Sequence, residues 1–377
     1  MAFDGKINAS GEGVSRVQAL DLLRLAAVFG VVLYHYGFRG PTVPDTTFVA
    51  LPELGSFARY GFLGVPVFFV ISGFVIAYSA EGRTAVGFAI ARIARIYPGF
   101  IFCMTLTFLA TLAFGAPHFE TSLAQWVANL FIAAPALGQH YMDSAYWSLV
   151  YEMTFYAWVT LLIAAGVLRR RIDVIVLVWL GISLLNELVF ESVVLRKIFV
   201  TDVSGFFAAG LLIYELYRGR RDAVLQFLLA SSVACAVVME SVYNLPWLRE
   251  HSGESFDDWT VATICIASVL VIVWATRIRH LPLRPSVVIA VGGMTYPFYL
   301  LHQQVGYDIF NWIGPVTHPA VLIVLIELAI AVLSWATWRY IERPAQRMTK
   351  QVLGDLASRF GWTSKTRVVS SPVGRPV

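Results

Sequence analysis

Apolar runs of about twenty residues recur along this chain from Val17 to Tyr340, separated by short polar segments. A helix needs roughly 20 mainly apolar residues to cross the hydrocarbon layer of a bilayer. Such runs fall at about 17–37, 62–80, 97–115, 146–168, 172–190, 200–217, 222–241, 259–276, 287–310 and 320–340. The pattern predicts an all-α, polytopic integral membrane protein with about ten transmembrane helices and no sizeable soluble domain. The stretch 122–134, SLAQWVANLFIAA, is apolar but short, and reads as a re-entrant or interfacial segment. The expected organisation is a cytoplasmic segment over 1–16, a transmembrane body over 17–347 and a loose, polar cytoplasmic tail over 348–377. No cleavage site of small residues follows the first run, so that helix is expected to stay in place as an anchor.

Composition supports this reading. Hydrophobic residues make up 58% of the chain and charged residues 14%, with mean hydropathy +0.69. Soluble domains carry about 25% charged residues. The formal charge of +4 matters less than where the charges sit. Lys and Arg accumulate on the cytoplasmic side of membrane proteins. With the N-terminus inside, all but six of the 28 fall on that side. Arg39, Arg59, Arg196, Lys197 and Arg249 fall outside, and Arg24 lies within the first span. This fit needs an even number of spans, with both termini cytoplasmic. The basic residues thus serve the membrane surface, and no nucleic-acid partner is expected. Cys103, Cys235 and Cys265 lie in apolar runs without C-x-x-C spacing, so neither a disulfide framework nor a metal site is predicted.

Ionisable side chains inside spans are costly and usually mark a polar cavity or pathway. The first span, LDLLRLAAVFGVVLYHY, holds Asp21, Arg24 and His35. Arg24 and His35 are eleven residues apart, which puts them on one helix face roughly 16 Å apart along the axis. The plainer readings are an Arg24 that snorkels beside Asp21 and a His35 in an aromatic belt between Tyr34 and Tyr36. In WSLVYEMTFY, Ser148, Glu152 and Tyr156 recur at i, i+4, i+8 and share a face. Glu152 then sits at a depth comparable to His35, so an imidazole is a plausible partner; a packing hydrogen bond is the alternative. In TYPFYLLHQQ, Tyr296, Tyr299 and His302 share a face, and Pro297 removes a helical hydrogen bond. His302 could equally be a satisfied structural histidine. Arg92 and Arg95, in the ARIARIYP segment ahead of the third span, sit one turn apart at the membrane surface and could hold phosphates or simply anchor the loop. Gly61, Gly64, Ser72 and Gly73 favour close helix packing.

Six segments occur in one order: Arg24 and His35 as R-x10-H, FFVISGF at 68–74, RIARIYP at 92–98, WSLVYEMTFY at 147–156, YPFYLLHQ at 296–303 and IERP at 341–344. Together they resemble the acyltransferase-3 family of integral membrane O-acyltransferases, over residues 16 to 347. The resemblance implies transfer of an acyl group, usually acetyl, from cytoplasmic acyl-CoA to a hydroxyl of a sugar or cell-envelope glycan, in the bacterial inner membrane. Acyl-CoA enters as donor substrate, and no tightly bound cofactor is implied. By matching position, Arg24 and His35 correspond to the family's essential Arg and His. Arg92 and Arg95 correspond to its basic cytoplasmic motif, and Glu152 to its acidic position. Some relatives carry an additional esterase-like domain; the chain's short reach past its last span leaves a need for a separate partner open.

The expected chemistry has His35 as general base toward the acceptor hydroxyl, since an imidazole titrates near neutrality. Such help is typically worth ~10²–10⁴-fold. Glu152 would orient His35, Arg24 would lie along the donor arm, and Arg92, Arg95, Tyr156, Tyr299 and His302 would contact substrate. A covalent acyl-histidine is compatible with the same residues. A secondary transporter is the competing class, because transporters also hold ionisable groups in mid-membrane.

Overall fold

The computed structural model of the chain describes residues 17–43, 46–47, 51–278, 281–315 and 318–362. Among them there is helix and no strand. The principal helices are α1 (Gln18–Tyr34), α2 (Gly64–Ala80), α3 (Ala85–Phe114), α4 (Trp147–Ala164), α5 (Ile172–Leu185), α6 (Ser204–Tyr217), α7 (Ala223–Met239), α8 (Asp258–Ala275), α9 (Pro285–Ile313), α10 (Pro319–Ala336) and α11 (Arg343–Arg359). Among the described residues, nine helical segments are long and apolar enough to cross a membrane. The chain is therefore a multi-pass membrane protein. α9 spans 29 residues, enough to cross, but it is more polar than these nine. The short segment at 122–134 holds only the helix Leu123–Asn129 followed by a 3-10 turn at Ala134–Leu137, as its length implied.

Helix starts follow local polar chemistry. Thr84, Asp222 and Asp257 each turn a side-chain oxygen onto a backbone N–H of the first turn, capping α3, α7 and α8. The loops sort to two faces. Glu81 pairs with Arg169 at 3.3 Å and with Arg218 at 3.6 Å, which draws the ends of α2, α4 and α6 to one side. On the opposite side Arg59 reaches Ser255 O at 2.7 Å and Glu254 at 3.5 Å. This sorting agrees with alternate crossing.

α6 is the most enclosed of the spans. It crosses α2 backbone to backbone: a Cβ on Gly73 would stand 2.3 Å from Phe207 O, and one on Gly210 would stand 2.1 Å from Val70 O. Small residues permit such a crossing in lipid, where packing rather than water exclusion drives association.

Two sequence expectations need correction. α3 begins at Ala85, ahead of the expected start at 97, so Arg92 and Arg95 belong to a helix and not to a loop. The Thr84 cap and a run of good helix formers carry the helix beyond the apolar limit. Part of the tail expected to be loose is also ordered: 348–359 belongs to α11, which continues α10 through a π-helical turn at Thr337–Glu342. Gln346 fixes this helix to α3, donating to Arg95 O at 3.4 Å and to Glu342 at 2.7 Å. Residues 1–16 and 363–377 lie outside the described residues.

Candidate active site

α1, α3, α4, α9 and the π-helical turn at Thr337–Glu342 meet along a seam of polar side chains. At one end α1 passes into a π-helical turn at His35–Arg39. Such turns are rare and concentrate at functional sites. This one begins at His35. The His35 ring faces that of His302 on α9, with centroids 5.2 Å apart and planes inclined by 55°. The Nδ1 of His302 lies 2.7 Å from Tyr299 O. A carbonyl only accepts, so Nδ1 carries the proton, and in the neutral ring the Nε2 lone pair is free. Nε2 of His302 is buried and has no partner among the described residues; the same holds for Nδ1 of His35.

The surroundings hold this pair firmly. Tyr307 donates to His35 O at 2.9 Å, and Tyr36 donates to His302 O. Gln304 N donates to Asp143 at 2.8 Å, and Tyr146 donates to Leu300 O at 3.1 Å. The backbone on both sides of His302 is therefore gripped from neighbouring segments.

Below the histidines, the shared face of α9 meets the shared face of α4. Tyr299 and Ser148 hydroxyls are 2.8 Å apart. One turn further along α4, Glu152 accepts from Ser72 at 3.1 Å and from Tyr156. The Arg92 guanidinium stands 5.8 Å from the Tyr156 ring centre, and its Nε is buried without a partner among the described residues. One turn along α3, Arg95 pairs with the fully buried Glu342 and lies 5.5 Å from the Tyr296 ring. The seam thus runs from paired imidazoles, through hydroxyls and one carboxylate, to guanidinium groups on the side of Glu81, Arg169 and Arg218.

The candidate residues fall into groups along it. His35, His302 and Tyr299 are together; Glu152 and Tyr156 form the middle; Arg92 and Arg95 lie at the basic end. Among the described residues no hydrogen bond joins Glu152 to His35, contrary to the expected partnership. His35 instead has His302, and Glu152 serves the hydroxyls of Ser72 and Tyr156. Arg24 lies 3.3 Å from Asp21, the pairing offered as its plainer reading.

Three contributors do not stand out from the sequence as site residues. Ser72 reads there only as a packing residue. Glu342 sits in the IERP segment, but nothing there reveals that it faces Arg95 across 247 positions. Glu327 lies against Tyr36 with both carboxylate oxygens buried. Its signal is present: a lone carboxylate in the apolar run LIVLIELAIAVL.

Comparison with known proteins bears on this arrangement. The model of the acyltransferase-3 family, described as an acyltransferase domain, matches residues 17–339. The chain belongs to this family. It is therefore a membrane acyltransferase, and the transporter alternative falls away. Among curated proteins it is similar to the exopolysaccharide production protein ExoZ of Rhizobium meliloti (strain 1021), 28% identical over 268 residues, covering 68% of this chain and 80% of that protein. No solved structure matches the chain significantly. The matched region includes every candidate residue and stops ahead of Glu342 and α11.

Proposed function

We propose that this acyltransferase moves an acyl group, acetyl in the simplest case, from acyl-CoA on the cytoplasmic side to a hydroxyl of an extracytoplasmic glycan. The observation that carries this reading is the seam itself. It joins two imidazoles with unbonded, buried nitrogens to unbonded guanidinium chemistry at the opposite end. A long donor with a charged head and a flexible thioester arm fits that layout. The basic end takes the head at Arg92, and the arm runs past Tyr156, Glu152 and Tyr299 toward His35. The similarity to a protein of exopolysaccharide production supports a polysaccharide acceptor. The excess of Lys and Arg on the Arg92 side supports a cytoplasmic donor in a bacterial inner membrane.

The chemistry follows from the two histidines. The acceptor oxygen attacks the thioester carbon as His35 takes the hydroxyl proton. The new C–O bond forms, the C–S bond breaks, and the proton passes to the departing thiolate. His302 cannot act through Nδ1, which is committed to Tyr299 O. Its free Nε2 suits it to accept a hydrogen bond from the His35 imidazolium and so stabilise the charged intermediate state. A carboxylate plays this part in other histidine-dependent acyl transfers. Glu152 keeps Tyr156 and Ser72 in place along the donor arm.

The test is label transfer from radioactive acetyl-CoA to envelope polysaccharide in isolated membranes, comparing the wild type with His35→Ala at equal protein level. Label that disappears in the variant supports the reading. Equal label in both keeps the enzyme and removes His35 from the chemistry. No label in either, with longer acyl-CoA donors also tried, removes acyl-CoA as donor.

A further inference from the structure

α11 lies beyond the family-matched segment, yet it returns to the basic end of the seam. Glu342, Gln346 and Lys350 recur at i, i+4, i+8 and share one face. Glu342 lies beside Gly99, where an added Cβ would stand 3.3 Å from its carboxylate, and pairs with Arg95; Gln346 reaches Arg95 O. As α11 advances, its contacts thus move toward the start of α3. The next position on that face is Lys350, one turn beyond Gln346, which carries it toward the start of α3, where Arg83 and Arg92 stand. Four cations therefore converge from two segments of the chain.

Their compensation is incomplete. Glu342 neutralises Arg95. No carboxylate forms an ion pair with Arg83, Arg92 or Lys350 among the described residues. Arg83 and Lys350 are exposed at the rim, and Arg92 is half-buried beneath them. Gathering like charges around a partly desolvated guanidinium is unfavourable without an anion. Anchoring at the membrane surface would need no such convergence. It would also leave the Arg92 Nε in contact with solvent, whereas that atom is buried and unbonded.

We propose that Lys350 and Arg83 complete a phosphate-binding mouth around Arg92, so that α11 supplies part of the donor site from outside the family-matched domain. This rests on the donor reading above and extends it. Coenzyme A suits the mouth because its head carries a diphosphate and a ribose phosphate. Guanidinium groups hold phosphate oxygens in a planar fork, while an ammonium acts as a point charge. Exposed cations at the rim and a shielded one below would draw the head inward.

The experiment is calorimetric binding to the full-length protein in nanodiscs, with coenzyme A and with pantetheine, which has the same arm but no phosphates. Lys350→Ala is expected to weaken coenzyme A by about tenfold and leave pantetheine unchanged. Lys350→Arg should restore most of the loss. Arg92→Ala serves as the internal reference. If Arg92→Ala weakens coenzyme A and Lys350→Ala does not, α11 has no part in the site. If neither variant changes the preference for coenzyme A over pantetheine, the donor reading itself fails. Repeating the series with and without phosphatidylglycerol separates the two sources of phosphate. A Lys350→Ala defect that appears only with anionic lipid assigns the mouth to headgroups and overturns the nucleotide assignment.

Discussion

His35 and His302 stand ring to ring, 5.2 Å between centroids, although 267 positions separate them in the chain. Only one of the two has a fixed tautomer, because Tyr299 O holds the Nδ1 proton of His302. That asymmetry assigns separate parts to the two rings: one takes a proton, and the other accepts a hydrogen bond from it. Replacing His302 with Ala should lower the turnover of label transfer by ~10²–10⁴-fold. Coenzyme A binding should stay within about twofold of wild type, because His302 lies at the far end of the seam. Wild-type turnover in His302→Ala would reduce the residue to packing.

Arg92 and Arg95, identical in type and one turn apart, should behave differently. Arg95 is committed to Glu342, which is fully buried and so depends on that partner. Arg95→Ala leaves a carboxylate without its cation, though still bonded to Gln346, at a cost of ~1–3 kcal/mol in folding stability. Replacing both by Met removes the charge imbalance and should recover much of that loss. Arg92→Ala removes no ion pair, so it should fold normally and bind coenzyme A at least tenfold more weakly. Thermal unfolding in detergent alongside calorimetry tests the separation. An Arg92→Ala protein as unstable as Arg95→Ala would count against it.

The contrast between these arginines also shows what the sequence could convey. The spans were legible because lipid imposes a length and an apolar content on each; nine of the ten expected runs meet both demands among the described residues, and α9 is long enough but more polar. The polar faces of α1, α4 and α9 were legible because helical spacing is fixed, so Ser148, Glu152 and Tyr156 must align. Which faces meet was not legible. The spacing on α1 gave no hint that His35 would find His302 and not Glu152. That depends on how helices far apart in the chain pack together. Glu342 was hidden for the same reason. The ordered start of the tail was hidden for a different one. Segment 348–359 has the polar composition of a tail, and it is ordered as the continuation of a helix that Gln346 fixes to α3.

Glu152 accepts two hydrogen bonds, and each can be removed separately. Tyr156→Phe deletes one donor and leaves the carboxylate bonded to Ser72. Glu152→Ala strands both hydroxyls, and an unsatisfied buried polar group costs ~1–3 kcal/mol. Glu152→Ala should therefore destabilise the protein clearly more than Tyr156→Phe. If Glu152 acts through Tyr156 and Ser72, both variants should raise the KM for acetyl-CoA. If it acts on His35, only Glu152→Ala should lower kcat, with KM unchanged. Steady-state label transfer distinguishes the two patterns.

The crossing of α2 and α6 carries the last prediction. Both the mid-span Glu152 contact and the packing of Phe69 against Phe207, 4.7 Å between centroids, depend on where α2 lies. A methyl group on Gly73 would overlap Phe207 O at 2.3 Å, and that neighbour is backbone, which cannot rotate away. Gly73→Ala must push the helices apart, at an expected cost of ~1–3 kcal/mol or more. The shift would also carry Ser72 away from Glu152, so activity should fall even in the protein that folds. Gly181, on α5, is different: a methyl group placed there would have nothing within 4 Å. Gly181→Ala should instead stabilise by ~0.5–1 kcal/mol, the ordinary gain of alanine over glycine in a helix, with label transfer unchanged. A Gly73→Ala protein as stable and active as Gly181→Ala would show that α2 and α6 do not cross in backbone contact.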